Sequence, residues 1–505
     1  MVKATLIAAL MTAPSRGGEE LAALPETVEW LEVRSDLVGE LDPDWLRSHF
    51  RGRLLYVLRS RTQGGRFEGS PPQRHERLSR AAQAYDLVEL EGERDLSTDL
   101  LNEIPIEKRL LSWYGKASEL AELQARFTHL SAVPATIYKL VTEAVRCADE
   151  LVPLSLLNSL GRSDTIAYST GSLGFWSRLV APRLGAPIIY GMIPNGPAIP
   201  TEPTINKLIE DYGLPALMPL ERIYGIVGSP VFHSLSPLLH NAAYRALGQP
   251  ALFVPFHVDS FDDFWQGVVE SGQLESLGLS IKGMTIASPH KESAPAMAQT
   301  MSEMVKLGGT ANLLLRDGDN WRADTTDPDG VILTLRERGL RVSGRRAAVI
   351  GCGGAGRAIA AALAQAGAEV VLVNRGATRG HRASQFLNLP FVALSEFSAV
   401  GYSLLINATP VGRDGGELPF DVEELSEDAV VIDLVYGAKP TPLAAKALAL
   451  GRSVIDGREV LLAQVFCQFH RMTGLEMPVN MARKLISRET KPANQALAEQ
   501  CVGNG

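Results

Sequence analysis

AAVIGCGGAGRAIAAALAQAGAEVVLVNRG, residues 347–376, reads as strand, glycine turn, helix and strand in succession. An apolar run leads into Gly351-x-Gly353-x-x-Gly356, an alanine-rich helical stretch follows, and a second apolar run ends at Asn374-Arg375. In that setting the first glycine permits a tight turn and the second lets the backbone approach a pyrophosphate. The third allows close helix–strand packing, and the helix N-terminus faces the anion. The unit therefore predicts a Rossmann-type dinucleotide site on Gly351, Gly353, Gly354 and Gly356. An NAD site would place Asp or Glu at the end of the second strand, to meet the ribose 2′-hydroxyl. Here Asn374, Arg375, Thr378 and Arg379 stand instead. Guanidinium forks match the oxygens of a 2′-phosphate, so the expected cofactor is NADP.

Downstream, YSLLINAT (402–409) and AVVIDLVY (429–436) supply further strands, and a helix-like tail from Val460 is expected to return onto the unit before the glycines. Residues after Lys491 read as frayed. Upstream, a new unit opens with RIYGIVGSP at 222–230, after a Pro/Gly-rich stretch at 191–203. Ahead of that lies a rhythm of eight short apolar runs, starting at residues 4, 28, 54, 85, 109, 135, 165 and 187. Helix-like stretches such as Ser118–Leu130 and Thr142–Leu151 separate them, and successive units share no residue template. Eight alternating strands and helices predict a (β/α)8 barrel rather than a solenoid. The expected fold class is α/β: a barrel over 1–220 followed by a two-domain α/β part that carries the Rossmann-type unit. Its first domain spans 221–338, completed by helices at about 460–490, and its nucleotide domain spans 339–459.

The chain has 505 residues, 46% hydrophobic and 21% charged, which excludes a disordered or collagen-like protein. A net charge of −8 offers no basic footprint, so no nucleic-acid partner is expected. No apolar run approaches the ~20 residues of a membrane span, and Ala4–Met11 reads as a first strand rather than a signal peptide. Cys147, Cys352, Cys467 and Cys501 lie far apart with no CxxC pair, which suits a reducing cytoplasm and predicts no metal site.

Three short motifs precede the glycine turn: HSLSP (233–237), SPHK (288–291) and TTDPDG (325–330). Lys291 and Asp327 are chemically suited to a proton-shuttling pair, because hydride transfer to a ketone builds an alkoxide that needs a nearby donor. Ser234 and Ser236 suit a carboxylate or hydroxyls. Together with GSPVFHSLSPLLHN, GCGGAGRA, NRGATR, NATPVG, DLVYGAKPTPL and GREVLLAQ, these motifs give residues 221–490 the order of shikimate dehydrogenase, which the chain resembles. The resemblance implies NADP-dependent reduction of 3-dehydroshikimate to shikimate. It makes Lys291 and Asp327 the catalytic pair, has Ser234, Ser236, Asn312 and Gln464 hold the substrate, and puts Tyr436 on the lining. The family's Asn-Val-Thr reads Thr285-Ile286-Ala287 here, removing a hydroxyl at a cost of ~0.5–1.5 kcal/mol. Ala287 also opens room for quinate, the alternative substrate.

Residues 1–220 resemble type I 3-dehydroquinate dehydratase through LEVRSD, LRSRTQGGRFEG, IYKLV and GSLGFWSRLVAPRLGAP. The fusion order resembles that of plant bifunctional enzymes. The resemblance implies dehydration of 3-dehydroquinate through a Schiff base to Lys139, whose pKa burial near arginines would lower. Arg178 would clamp the substrate carboxylate, with Glu32, Arg34 and Arg59 nearby. The family's acid/base histidine is Tyr114 here, its supporting glutamate is Gln63, and its final-loop serine and glutamine are Ala186 and Glu202. General acid–base help is worth ~10²–10⁴-fold, so the expected dehydratase is slow, and the alternative is a barrel that only binds or assembles.

Overall fold

A computed structural model describes residues 3–194, 199, 201–413, 415–437 and 439–488. The expected frayed tail and Cys501 lie outside the described residues. The chain forms two compact units, one of residues 1–225 and 230–281, the other of 226–229 and 282–505.

The first unit opens with eight parallel strands: β1 (Thr5–Leu10), β2 (Val28–Arg34), β3 (Arg53–Val57), β4 (Leu87–Glu91), β5 (Arg109–Gly115), β6 (Ile137–Glu143), β7 (Thr165–Thr170) and β8 (Ile188–Met192). Their order is 7-6-5-4-3-2-1-8, with β1 bonded to both β2 and β8, a near-closed barrel. Parallel strands need crossovers, and helices such as Pro71–Ala84, Leu120–Ser131 and Leu151–Leu160 supply them. Positions along β4 and β6 are buried on both faces, one against the helices and one in the barrel interior. Ile7, Leu55, Leu87, Leu110, Ile137 and Ile166 form an apolar plug. The expected helix over Thr142–Leu151 is corrected. Thr142 and Glu143 extend β6, paired with Ser169 and Thr170, and the helix begins only at Leu151. The ladder with β7 satisfies that backbone, which local helix preference could not anticipate.

β9 (Arg222–Gly228) begins in this unit, and β10 (Ala251–His257) follows the helix Ser236–Ala246. Asn241 locks that helix to β10 by exchanging two hydrogen bonds with the Phe253 backbone, at 2.7 and 2.8 Å. The barrel meets this segment through aromatic rings: Trp176 packs on Phe256 and Phe175 on Phe232, with ring centroids 5.4 and 4.9 Å apart.

In the second unit, β11 (Ile281–Ile286) pairs antiparallel with β13 (Leu313–Asp317). That strand pairs with β14 (Asn320–Asp324), which also takes the short parallel β12 (Thr300–Met301). The nucleotide fold is a parallel sheet of β15 (Arg346–Ile350), β16 (Glu369–Asn374), β17 (Phe391–Ala393), β18 (Leu404–Asn407), β19 (Val430–Asp433) and β20 (Ser453–Ile455), ordered 17-16-15-18-19-20. Its central strands read as near-continuous apolar runs because both faces are buried. The helix Gly457–Thr473 packs on the helix Asp327–Glu337 and on β13. Among the described residues, no helix is long and apolar enough to cross a membrane.

Candidate functional site

Lys291 lies in a 3-10 turn just after β11, and Asp327 is the first residue of the helix after β14. Lys291 Nζ donates to both Asp327 oxygens, at 2.8 and 2.7 Å. Asp327 is buried, while the lysine side chain keeps some exposure. Two more donors converge on Asp327 Oδ1: Asn312 Nδ2 at 3.0 Å and Gln464 Nε2 at 3.1 Å. Four sequence-predicted residues thus meet at one carboxylate. A buried charge is tolerable only when paired and hydrogen-bonded in this way.

Asn312, together with residues that were not anticipated, holds the turn bearing Asp327. Asn312 Oδ1 accepts from the Thr326 N–H at 2.7 Å, and Gln468 Nε2 donates to Thr326 Oγ1 at 3.0 Å. Arg471 donates to the Thr325 carbonyl at 2.8 Å and to Asp329 at 2.7 Å. The signal was present: Gln464, Gln468 and Arg471 recur at helical spacing on one stripe. Tyr436 is half-buried on the loop after β19. Ser234 and Ser236 belong to the first unit, where the Ser236 N–H donates to Ser234 Oγ at 3.2 Å.

The glycine turn has the shape a dinucleotide needs. Gly351 has φ +108°, and a Cβ on Gly356 would fall 1.8 Å from the Gly351 carbonyl oxygen. Nothing nearer than 3.9 Å faces the Cβ position of Gly353, which leaves the cradle open in front of a twelve-residue helix. Asn374 Oδ1 accepts from the Cys352 N–H at 3.1 Å and so ties the end of β16 to the turn. Arg375, Thr378 and Arg379 are exposed beyond it, and no acidic residue ends the strand. These residues fit NADP. The turn also touches the chemistry: Thr310 Oγ1 donates to the Gly354 carbonyl at 2.9 Å, and the stem of Lys291 lies against Gly354. Glu292, next to Lys291 in the chain, pairs with Arg379 and with Arg357.

In the barrel, Lys139 is almost wholly buried, with Nζ 3.1 Å from Glu89 Oε2 and 3.6 Å from Glu32 Oε2. The Tyr190 ring lies 3.9 Å from the same nitrogen. This corrects the expectation of a lowered lysine pKa. Burial does push it down, but Glu89, Tyr190 and Glu32 override that and raise it. Glu89 escaped the sequence reading because YDLVELE alternates like a strand with one wet face, whereas inside a barrel that face is the site. Tyr114 accepts from Arg59 Nη2 at 2.5 Å, and burial together with Glu89 holds its phenol well above the usual range despite Arg59. Arg34 is bound bidentately by Asp36, at 2.9 and 2.8 Å. Arg178 Nη1 donates to Glu202 Oε2 at 2.5 Å. Gln63 and Ala186 are buried, and Gln63 Oε1 has no partner among the described residues.

Residues 13–217 match the type I 3-dehydroquinase family and residues 226–314 the shikimate dehydrogenase substrate binding domain. The chloroplastic bifunctional 3-dehydroquinate dehydratase/shikimate dehydrogenase of Arabidopsis thaliana is 27% identical over 503 residues, covering 92% of this chain and 82% of that protein. Shikimate dehydrogenase (NADP(+)) of Geobacter metallireducens is 36% identical over 281 residues, 52% of this chain and 96% of the relative. A crystal structure of Thermus thermophilus shikimate 5-dehydrogenase with NADP(H) and shikimate is 30% identical, covering 53% of this chain and 99% of that one, with a TM-score of 0.47. The chain belongs to the shikimate dehydrogenase family and carries a type I 3-dehydroquinase domain ahead of the dehydrogenase.

Proposed function

We propose that the dehydrogenase part reduces 3-dehydroshikimate to shikimate with NADPH, and that the barrel ahead of it forms 3-dehydroshikimate from 3-dehydroquinate. The observation that carries the reading is the Lys291–Asp327 pair, 2.7 Å apart and packed against the glycine turn. Residues 221–338, completed by about 460–490, hold the substrate, and 339–459 hold the cofactor. Arg375, Thr378 and Arg379 meet the 2′-phosphate, and the amides of the glycine turn meet the pyrophosphate. The bound cofactor supplies the hydride. As the ketone carbon receives it, negative charge grows on the oxygen, and the Lys291 ammonium gives that oxygen its proton. Asp327 holds the ammonium in place and stabilises it, while Asn312 and Gln464 fix the carboxylate and Gln464 turns its amide oxygen toward substrate hydroxyls. Three free cysteines, Cys147, Cys352 and Cys467, support a cytoplasmic setting.

In the barrel, Lys139 condenses with the ketone of 3-dehydroquinate and water leaves. The imine acidifies the neighbouring C–H, whose proton loss expels the hydroxyl, and hydrolysis returns the amine. Arg178 meets the substrate carboxylate. Tyr114, a neutral phenol at pH 7, is a poor base, so this half turns over slowly, by about 10²–10⁴-fold against an imidazole. Relative kcat/KM for shikimate and quinate tests the substrate assignment, and a preference for quinate would overturn it. Borohydride with 3-dehydroquinate should fix an adduct on Lys139, read by peptide mass.

A further inference from the structure

The four cations expected at the barrel mouth are all paired within the chain. Lys139 is held by Glu89 and Glu32, Arg59 by Tyr114 and Glu89, Arg34 by Asp36, and Arg178 by Glu202. The carboxylate partners differ in one respect. The side chains of Asp36, Glu89 and Glu32 are 0%, 2% and 5% exposed, whereas that of Glu202 is 26% exposed. Among these carboxylates Glu202 alone can reach water on leaving its cation, and the buried Arg178 charge that it uncovers needs an incoming carboxylate to take its place. Its other oxygen, Oε1, accepts from Thr170 Oγ1 at 3.1 Å, which steadies the carboxylate over the guanidinium. The pairing is incomplete as well. Arg178 is itself 2% exposed, with its guanidinium 4.7 Å from the centre of the Tyr168 ring, and its buried Nε has no partner among the described residues. A guanidinium fork satisfied at one edge atom only is built for a second, bidentate carboxylate.

We propose that Glu202 is a built-in ligand of the barrel's anion site, holding Arg178 until the carboxylate of a small hydroxy-acid substrate displaces it. The barrel then binds its substrate by exchanging one carboxylate for another. It binds more weakly than Arg178 alone would allow, because only the fraction of molecules with Glu202 released is competent. This deepens the reading of Arg178 as the substrate's carboxylate clamp and rests on it.

The test uses the full chain and a readout confined to the barrel: the concentration of 3-dehydroquinate giving half-maximal borohydride-fixed adduct on Lys139. With about a tenth of molecules competent, Glu202→Gln lowers that concentration about tenfold. Thr170→Val, which keeps the ion pair and removes only the steadying hydroxyl, lowers it about two- to threefold, and it serves as the test should Glu202→Gln fail to fold. Arg178→Ala placed on Glu202→Gln should abolish the gain. An unchanged or raised half-saturating concentration in Glu202→Gln, with Arg178→Ala still weakening binding, overturns the proposal and leaves the clamp standing. Binding indifferent to Arg178→Ala, or no adduct in any variant, removes the clamp reading and the proposal together.

Discussion

Replacing Glu89 with Gln asks whether a carboxylate, rather than burial, sets the protonation of Lys139. Glu89 Oε2 lies 3.1 Å from Nζ, where two unit charges at an effective dielectric near 20 attract by about 5 kcal/mol. Glu32 at 3.6 Å remains in the variant and keeps part of the field. Burial then acts less opposed, and the lysine's titration should move down by about two to three pH units. Imine formation needs the neutral amine, so the rate of borohydride-fixed adduct at pH 8 should rise about 100- to 1,000-fold, with its pH midpoint moved down. The signs for stability follow from the two shifts. A raised lysine contributes stability that is complete below its ordinary range and lost as pH rises through the folded value. A depressed Glu89 contributes stability present above the ordinary carboxylate range and lost as pH falls through its own value. Glu89→Gln should therefore flatten the acid limb of the melting profile. An unchanged pH midpoint for adduct formation would refute the reasoning.

Arg375→Ala should weaken NADP far more than NAD in fluorescence titration, and an equal effect on both would remove the phosphate-clamp argument. Glu150, whose carboxylate accepts from the Phe175 and Ser177 N–H groups and from Ser177 Oγ, is pushed up to about 8 by burial. The folded state thus holds a proton that the unfolded chain has lost, and stability should fall by about 1.4 kcal/mol per pH unit as pH rises from the ordinary carboxylate range toward 8. Glu150→Gln should erase that slope in denaturant melts, and an identical slope in the variant would show that another group is responsible.

The architecture was legible wherever the chemistry is local. The strand–glycine–helix unit at 347–376 and the eight apolar runs needed only periodicity and turn residues, and the structure forms both. Lys291 and Asp327, 36 residues apart, became a pair only through the order of the motifs around them. What stayed hidden depends on which face of a strand looks inward. Glu32, Glu89 and Lys139 come from β2, β4 and β6 and meet only once the barrel closes, so the field around the lysine took its sign from a glutamate that looked like surface. Arg471 and Gln468 were overlooked for a similar reason. Their work is on the backbone of another helix's first turn, and no motif encodes that.

The most direct trial of the central claim compares turnover and cofactor binding in Lys291→Ala. Loss of the proton donor should lower kcat for 3-dehydroshikimate reduction by about 10²–10⁴-fold, with Kd for NADPH nearly unchanged. Turnover close to that of the unaltered protein, or loss of NADPH binding in step with activity, would contradict the account.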